Sequence, residues 1–235
     1  MTESTKNAKI TILCDGPYHV EGDVCIVKKT QVVSEYGEPL TWLKGERLDC
    51  EGEIFLCRCG HSNTWPYCDS THLATDFEGT EEVDKCTSRE RREDYPEGTG
   101  IVVRKDGYLC SESGFCGNRL TTIREMMSET DEPSVRAEIM AMIDRCPSGA
   151  FTYALDKDGP DIEPDYPVQV AATTEITSDG PIRGPLWVTG NIPVEMEDGS
   201  LLEIRNRVTL CNCGNSHHKP LCDGTHRNCP QQNQG

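Results

Sequence analysis

The sequence predicts an α+β fold of three small modules, in which two β-rich outer modules repeat one another on either side of a smaller α+β module. Only 35% of the 235 residues are hydrophobic and 6% are aromatic, which argues against one large core. Cysteine is unusually frequent, with 14 residues in the chain, and most of these fall into three separated groups. We therefore expect several small cores that need support from something other than apolar packing.

The outer modules are recognised by an internal repeat. Each begins with Asp-Gly-Pro, at Asp15 and at Asp179, and continues through runs rich in Val, Ile and Thr that predict strands. The predicted strands are Val24–Val33 and Glu53–Leu56 in the first copy, and Pro185–Val194 and Leu201–Leu210 in the second. In both copies the last strand leads directly into Cys-x-Cys. Such a repeat predicts that the outer modules pack on each other across a pseudo-two-fold axis.

The middle module combines short strands with helices. Strands are expected over Gly100–Lys105 and Phe151–Leu155, with a turn at Asp106 and Gly107 after the first. Helices are expected over 121–128 and from Pro133 onward, where apolar residues recur at helical spacing. The predicted boundaries are 8–79 for the first outer module, 80–98 for a linker, 99–156 for the middle module, 157–168 for a second linker, and 169–230 for the second outer module.

The charge balance limits the kinds of partner. Lys and Arg number 23 against 40 Asp and Glu, and the formal net charge of -17 argues against nucleic-acid binding. No apolar run reaches the ~18 residues that a membrane helix needs, and the first residues lack the pattern of an export signal. We therefore expect a cytoplasmic protein that binds neither nucleic acid nor membrane. Thiols stay reduced in that compartment, so this many cysteines indicates metal sites and not disulfides.

Two loops carry a metal-ligand pattern. The candidate ligands are Cys57, Cys59, Cys68 and His72 in the first loop, and Cys211, Cys213, Cys222 and His226 in the second. An aspartate follows the third Cys of each loop, and we expect Asp69 and Asp223 to fix the loops by accepting hydrogen bonds from nearby amides or from the ligand residues. By ligand chemistry alone, three Cys and one His suit tetrahedral zinc as well as an iron–sulfur cluster.

Both loops resemble the CDGSH iron–sulfur family, whose pattern is Cys-x-Cys, two residues, Ser or Thr, three residues, and Pro-x-Cys-Asp-Gly-Ser/Ala/Thr-His. The second loop matches every position, and the first departs only at Ser70, where the family has Gly. If that position has a positive φ, Ser70 is expected to cost a little stability without removing a ligand. The resemblance implies one [2Fe-2S] cluster per loop, held by the three Cys and the His of that loop. A His ligand is expected to raise the reduction potential relative to four Cys.

The middle module carries a different cysteine pattern. Five residues separate Cys110 from Cys116, Cys146-Pro147 follows 30 residues later, and Ser113 stands where a ferredoxin pattern has a further Cys. This resembles divergent single-cluster ferredoxin domains that share Cys-x5-Cys and Cys-Pro-Ser-Gly-Ala. The resemblance implies a ferredoxin-like module with one [3Fe-4S] or [4Fe-4S] cluster held by Cys110, Cys116 and Cys146. The alternative is a small α+β domain with three incidental thiols.

Five cysteines lack ligand-like spacing and are expected to be core or surface thiols, with Cys25 buried in a strand. They are Cys14, Cys25, Cys50, Cys86 and Cys229. That one of them supplies a fourth ligand to the middle site stays open.

No catalytic constellation is recognisable, so a protein without a catalytic site of its own is expected. Two or three clusters in small modules predict electron transfer with a redox partner, a reductase or an oxidase, that docks through a basic surface. Two alternatives stay open: cluster storage, transfer or sensing with an apo-protein as acceptor, and a zinc-supported scaffold. Because the two copies are expected to pair within one chain, we expect a monomer or a weak homo-oligomer.

Overall fold

The computed structural model describes residues 8–48 and 52–229, and β-strands dominate them. The strands are β1 (Lys9–Ile12), β2 (Tyr18–Glu21), β3 (Cys25–Val33), β4 (Pro39–Arg47), β5 (Ile54–Leu56), β6 (Glu93–Asp94), β7 (Val102–Lys105), β8 (Phe151–Ala154), β9 (Gln169–Thr177), β10 (Gly180–Thr189), β11 (Val194–Glu195) and β12 (Arg207–Leu210). The helices are α1 (Ser88–Arg91), α2 (Ile123–Met126) and α3 (Pro133–Arg145), with 3-10 turns at Thr71–Ala74, Gly107–Leu109, Met127–Glu129 and Thr225–Asn228. No helix among the described residues combines the length and apolar character needed to cross a membrane.

Two sheets are built by an exchange of strands between the outer modules. Their strand orders are β11-β1-β2-β5 and β12-β10-β9-β3-β4. Strand β3 of the first module pairs in parallel with β9, and β11 of the second module pairs in parallel with β1. The registers correspond, because Ile26 lies opposite Val170 just as Val194 lies opposite Ile10. This reciprocal pairing confirms the α+β fold class with two β-rich modules related by an internal repeat.

The strands of the repeat differ in detail from the expected ones. The run over 24–33 forms β3, but the run over 185–194 is divided between the end of β10, a turn and the first residue of β11. The turn depends on Gly190, which has a φ of +82° and lies so close to Val168 that a Cβ would come within 2.7 Å of its backbone. Within the expected strand 201–210, only β12 belongs to the sheet.

One hydrophobic core serves both outer modules. Ile10 and Tyr18 of the first module pack with Val170 and Leu186 of the second in a single buried cluster. Tyr18 is fully buried, and its hydroxyl donates a hydrogen bond of 2.7 Å to the carbonyl oxygen of Cys211. A side chain from one module therefore supports the cysteine loop of the other.

The middle module has its own core. Strand β7 lies between β6 and β8, and Ile139, Met142 and Ile143 of α3 belong to the same buried cluster as this sheet. Helix α3 begins at Pro133, as the sequence predicts, because proline needs no hydrogen-bond partner in the first turn. The segment expected to be a linker over 80–98 contains α1 and β6, and β6 pairs with β7. Part of that segment is therefore built into the middle module.

The middle module rests on the second outer module through a buried arginine. Arg207 of β12 donates hydrogen bonds of 3.0 Å to the carbonyl oxygens of Ile143 and Asp144 near the end of α3. Its guanidinium also pairs with Glu163 at 3.2 Å. Because β12 leads into Cys211 and α3 leads into Cys146, this joint brings the middle cysteine group towards the second outer loop.

Candidate metal centres

The first outer loop presents its four candidate ligands as two pairs. The Cys57 and Cys59 sulfurs are 3.8 Å apart, and the Cys68 sulfur is 3.4 Å from His72 Nδ1. Strand β5 ends at Leu56 and delivers the first pair into the interior, where both thiols are buried. The second pair is half-buried. One side of this site is therefore protected by the core and the other reaches the surface.

The second outer loop repeats the two pairs but buries both. The Cys211 and Cys213 sulfurs are 3.6 Å apart, and the Cys222 sulfur is 3.3 Å from His226 Nδ1. All four residues are buried, and His226 is only 1% exposed. The two sites therefore share their donor geometry and differ in their access to solvent.

These distances fit metal coordination. Two donors on one tetrahedral metal, with bonds of about 2.0–2.3 Å, lie about 3.5–3.8 Å apart. The paired atoms in both loops are separated by 3.3–3.8 Å. In each loop the close contacts join the four donors in two pairs, which suits a two-iron cluster with two protein ligands on each iron.

The two thiols within each Cys-x-Cys pair share a hydrogen bond, which gives them different pKa values. This bond lowers the pKa of Cys57 and of Cys211 and raises the pKa of Cys59 and of Cys213. The Cys57 and Cys211 thiols therefore lose their protons more readily than their partners, and the thiolate is the form that binds metal.

The aspartate after the third cysteine closes each loop on itself. Asp69 accepts hydrogen bonds from the backbone amides of Asn63 and Thr71 at 2.8 and 3.1 Å. A hydrogen bond with the Thr71 side chain, followed by the Asn63 amide, lowers the pKa of Asp69. Asp223 accepts from the amides of His217 and Thr225 at 2.9 and 3.0 Å. Burial opposes ionisation of Asp223, but these bonds outweigh it and lower the pKa. Each carboxylate thus connects the beginning of its loop to the turn that carries the histidine.

Ser70 and Gly224 occupy equivalent positions with the same backbone geometry. Ser70 has a φ of +67° and Gly224 a φ of +89°, so the condition attached to the expected cost at Ser70 is met. Ser70 is exposed, so its side chain has room. A Cβ on Gly224 would lie 2.6–2.9 Å from side-chain atoms of Glu112 in the middle module. The second site therefore requires Gly for a reason that is absent at the first.

The second site has neighbours that the sequence did not reveal. Glu175 of β9 is fully buried, and its carboxylate lies 3.1 Å from His226 Nε2 and 2.5 Å from the Arg227 guanidinium. When Nε2 carries the ring proton and donates a hydrogen bond to Glu175, Nδ1 has a free lone pair and can act as the ligand atom. Cys229, expected to be a core or surface thiol with a ligand role at the middle site left open, packs against Cys211 and Cys213. Two features of the sequence point to these neighbours: a carboxylate in an apolar strand, and a cysteine three residues after the ligand histidine.

The residue inside each Cys-x-Cys also distinguishes the sites. Arg58 is 1% exposed, and its guanidinium donates to the carbonyl oxygens of Leu13 and Gly79 and lies 3.5 Å from Glu197. The equivalent Asn212 is neutral and donates to the carbonyl oxygen of Gly184 at 2.9 Å. The first site therefore has a buried positive charge that the second lacks at this position.

The three middle cysteines come from two segments of the middle module. Cys110 follows a 3-10 turn and is half-buried, Cys116 is exposed, and Cys146 is buried just after α3. Burial, with the charge of the neighbouring Cys146 thiol, raises the pKa of Cys110. The Cys146 sulfur lies 3.4 Å from the Ser148 hydroxyl. Ser113 is buried in the same loop, and its carbonyl oxygen accepts a hydrogen bond of 2.9 Å from Gln31.

The three cysteine groups adjoin one another. Cys59 and Cys213 form a β-bridge between the outer loops. Gly60, next to Cys59, lies so close to the Cys213 carbonyl oxygen that a Cβ would come within 2.7 Å of it. On the other side of the second loop, Glu112, two residues after Cys110, lies on Gly224. The second outer loop therefore contacts both the first outer loop and the middle loop.

The remaining described cysteines lie outside these groups. Cys14 and Cys86 are exposed, and Cys25 is half-buried on β3 and not fully buried as expected. Cys50 lies outside the described residues. All thirteen described cysteines are free of disulfides.

Comparison with known families agrees with this arrangement. The model of the iron-binding zinc finger CDGSH type matches residues 15–73 and 183–227. The model of the divergent 4Fe-4S mono-cluster matches residues 97–156. No curated protein and no solved structure matches the chain. The chain is therefore an iron–sulfur protein with two CDGSH-type regions on either side of a divergent 4Fe-4S mono-cluster domain.

Proposed function

We propose that the chain holds two [2Fe-2S] clusters and one [3Fe-4S] or [4Fe-4S] cluster, and that it transfers single electrons along three adjoining sites. In the outer loops the donors would be three Cys and one His each, and the two-by-two donor pairs support a two-iron cluster in each. Cys110, Cys116 and Cys146 would hold the middle cluster, which supplies one-electron chemistry like the other two. The thirteen cysteines that the structure describes are free thiols, which supports a reducing, cytoplasmic working environment.

The contact between the three cysteine groups carries this proposal. The β-bridge between Cys59 and Cys213 places the outer loops side by side, and the contact of Glu112 with Gly224 places the middle loop against the second one. Gln31 strengthens the contact between the middle loop and the second outer module. Its side-chain amide donates to the Ser113 carbonyl oxygen, and its side-chain oxygen accepts from the backbone amide of Ile176. Separate scaffolding sites would not need to adjoin, whereas electron transfer requires short separations.

The protein gives the second site the properties of an internal relay. Its four donor residues are buried, and the middle module covers the turn at Gly224. Glu175 and Arg227 hold the second nitrogen of His226 in one orientation, which keeps the donor atom directed towards Cys222. These contacts exclude water and partner proteins from the second site.

The first site would be the port at which a partner docks. Cys68 and His72 are half-buried there, and the neighbouring Leu73 is 80% exposed. From residue 59 to residue 84 the chain has no Lys or Arg but several carboxylates, among them the exposed Asp76 and Glu78. A redox protein with a basic rim around a small apolar patch would complement this surface. The reciprocal strand exchange already pairs the two copies, which supports a monomer.

Metal analysis tests the proposal first. Anaerobically purified protein is expected to contain about seven or eight irons per chain, a comparable amount of acid-labile sulfide, and little zinc. EPR spectra before and after reduction distinguish a three-iron from a four-iron middle cluster. A colourless chain with zinc would overturn the proposal and leave the scaffold, and about four irons would restrict it to the outer sites.

The docking surface can be tested with small oxidants of opposite charge. Reduced protein is mixed with hexaammineruthenium(III), a cation, or with hexacyanoferrate(III), an anion, and oxidation is followed by stopped-flow absorbance at several salt concentrations. The ratio of the cation rate to the anion rate should fall in the variant Asp76→Asn/Glu78→Gln, and the effect should shrink as salt rises. The matched control is Asp131→Asn/Glu132→Gln in the middle module. Equal ratios in both variants would refute a port at the first site.

The half-exposed pair of the first site also favours a second candidate function, the donation or sensing of a cluster. Apo-ferredoxin serves as a probe acceptor. If the chain transfers iron to it faster than the reduced chain passes electrons to hexaammineruthenium(III), donation replaces electron transfer as the function.

A further inference from the structure

We propose that Cys229 is a reserve thiolate donor of the second site, able to take the place of Cys213 as a ligand. This inference rests on the proposed binding of a metal cluster by the second loop. It assigns a role to a residue that lies outside the CDGSH pattern and outside the matched range, which ends at residue 227.

The position of Cys229 carries the inference. Its side chain is more than nine-tenths buried and shares a buried cluster with Cys211 and Cys213. The Asn215 side-chain amide donates to the Cys229 sulfur at 3.4 Å and to the Cys213 carbonyl oxygen at 2.9 Å, so one residue connects the two cysteines. The Cys229 thiol also lies 3.3 Å from the Thr225 carbonyl oxygen. The second site therefore contains four thiols and one imidazole, one donor more than it needs.

An exchange between the two cysteines balances without a redox reagent. With a cluster bound, the Cys229 sulfur would replace the Cys213 sulfur as ligand. The proton of the Cys229 thiol would pass to the departing Cys213 sulfur, and no electron would move. Thiolate is the donor type that soft iron–sulfur sites select, so the replacement preserves the ligand chemistry.

The first site provides a control within the same chain. Thr75 stands three residues after His72, as Cys229 stands three residues after His226. Its hydroxyl lies 3.3–3.4 Å from the carbonyl oxygens of Thr71 and His72, and an alcohol is a poor substitute for a thiolate. Loss of a Cys-x-Cys ligand should therefore empty the first site and leave the second site filled.

The test compares Cys213→Ala with Cys59→Ala in the full chain purified anaerobically. Iron, sulfide and zinc are measured together with visible circular dichroism, and far-ultraviolet circular dichroism reports folding. Cys59→Ala is expected to lose about two irons per chain. Cys213→Ala should retain the wild-type iron content with an altered visible spectrum, and Cys213→Ala/Cys229→Ser should lose about two irons.

Two results would overturn the reserve role. One is an iron loss in Cys213→Ala as large as in Cys59→Ala, and the other is retention of iron in the double variant. The variant Cys229→Ser alone should keep its full iron content, because a loss would make Cys229 a primary ligand. If Cys213→Ala does not fold, Cys213→Ser is compared in the same way. Wild-type protein that contains zinc overturns the proposed function instead, and zinc retention in the same variants then tests Cys229 separately.

Discussion

Gly224 lies where the second cysteine loop meets the middle module, and replacing it with alanine tests that contact. The position has a φ of +89°, which costs about 1–2 kcal/mol for a residue with a Cβ. The new Cβ would lie 2.6, 2.8 and 2.9 Å from three side-chain atoms of Glu112, and such overpacking costs about 1–3 kcal/mol. Because the exposed Glu112 side chain can give way in part, we expect Gly224→Ala to lower stability by about 2–4 kcal/mol.

Thermal unfolding of the cluster-loaded chain measures this loss. For a chain of this size each kcal/mol shifts Tm by about 2–4 °C, so a decrease of roughly 4–16 °C is expected. Far-ultraviolet circular dichroism follows the fold, and visible absorbance follows the clusters in the same sample. The matched control is Ser70→Ala, which already has a Cβ at a φ of +67° on an exposed turn. It should remain within about 0.5 kcal/mol of wild type.

A second variant separates the contact from the backbone strain. Glu112→Gly removes all three atoms that approach Gly224 and suits the φ of +57° at residue 112. In the double variant Gly224→Ala/Glu112→Gly, only the cost of the positive φ should remain, which gives a coupling of about 1–3 kcal/mol between the two positions. A decrease in Tm for Gly224→Ala no larger than for Ser70→Ala, or strict additivity in the double variant, would refute the contact between the middle module and the second loop.

Three further changes test single features of the sites. Arg58→Gln removes a buried positive charge beside the first site and should lower its reduction potential by about 40–90 mV, which corresponds to about 1–2 kcal/mol of charge interaction; an EPR-monitored titration that shows no shift at full iron content would contradict this. Burial, with a smaller contribution from Lys44, lowers the pKa of Lys29 to about 8 in the folded chain. The unfolded chain binds the Lys29 proton more tightly, so this residue makes the stability of the fold rise between about pH 8 and pH 10.4. The variant Lys29→Met should therefore show a flatter dependence of Tm on pH in that range. Equal slopes of Tm against pH in the wild type and the variant would exclude Lys29 as the cause. Ser113→Cys should add a thiolate to the middle site and change its iron content or EPR spectrum, whereas a spectrum identical to wild type would place Ser113 away from the cluster.

The cysteine loops could be predicted from the sequence because their geometry is local. Sixteen consecutive residues fix both ligand pairs, and the same spacing produces nearly the same distances in both copies. Helix α3 could be predicted for the same reason, since its start signal and its apolar spacing lie within 13 residues. The exchange of strands could not, because β3 and β11 find their partners about 140 and 180 residues away in the sequence. Apolar runs show that strands exist, but they do not specify which sheet takes them.

The residues that distinguish the surroundings of the two sites could not be predicted from the sequence either. Glu175 and Cys229 look unremarkable in a linear motif, because their meaning depends on contacts with His226 and Cys213 that only folding creates. A buried carboxylate needs a hydrogen-bond or charge partner, so the position of Glu175 inside an apolar strand indicates that a polar group packs against it. The identity of that partner depends on the tertiary structure, as does the contact between Glu112 and Gly224.

Joining the two copies in one chain permits a difference that a symmetric dimer excludes. In an isologous dimer every residue has the same surroundings in both subunits, so both sites would be equally exposed and have identical neighbours. Here three pairs of equivalent positions have diverged around identical ligands, with Arg58 against Asn212, Ser70 against Gly224, and Thr75 against Cys229. Gly224 agrees with burial beneath the middle module, because Glu112 lies against it, and the equivalent Ser70 agrees with an exposed turn. The proposed division into an inner relay and an outer port therefore requires two copies that can differ in sequence, which a single chain provides.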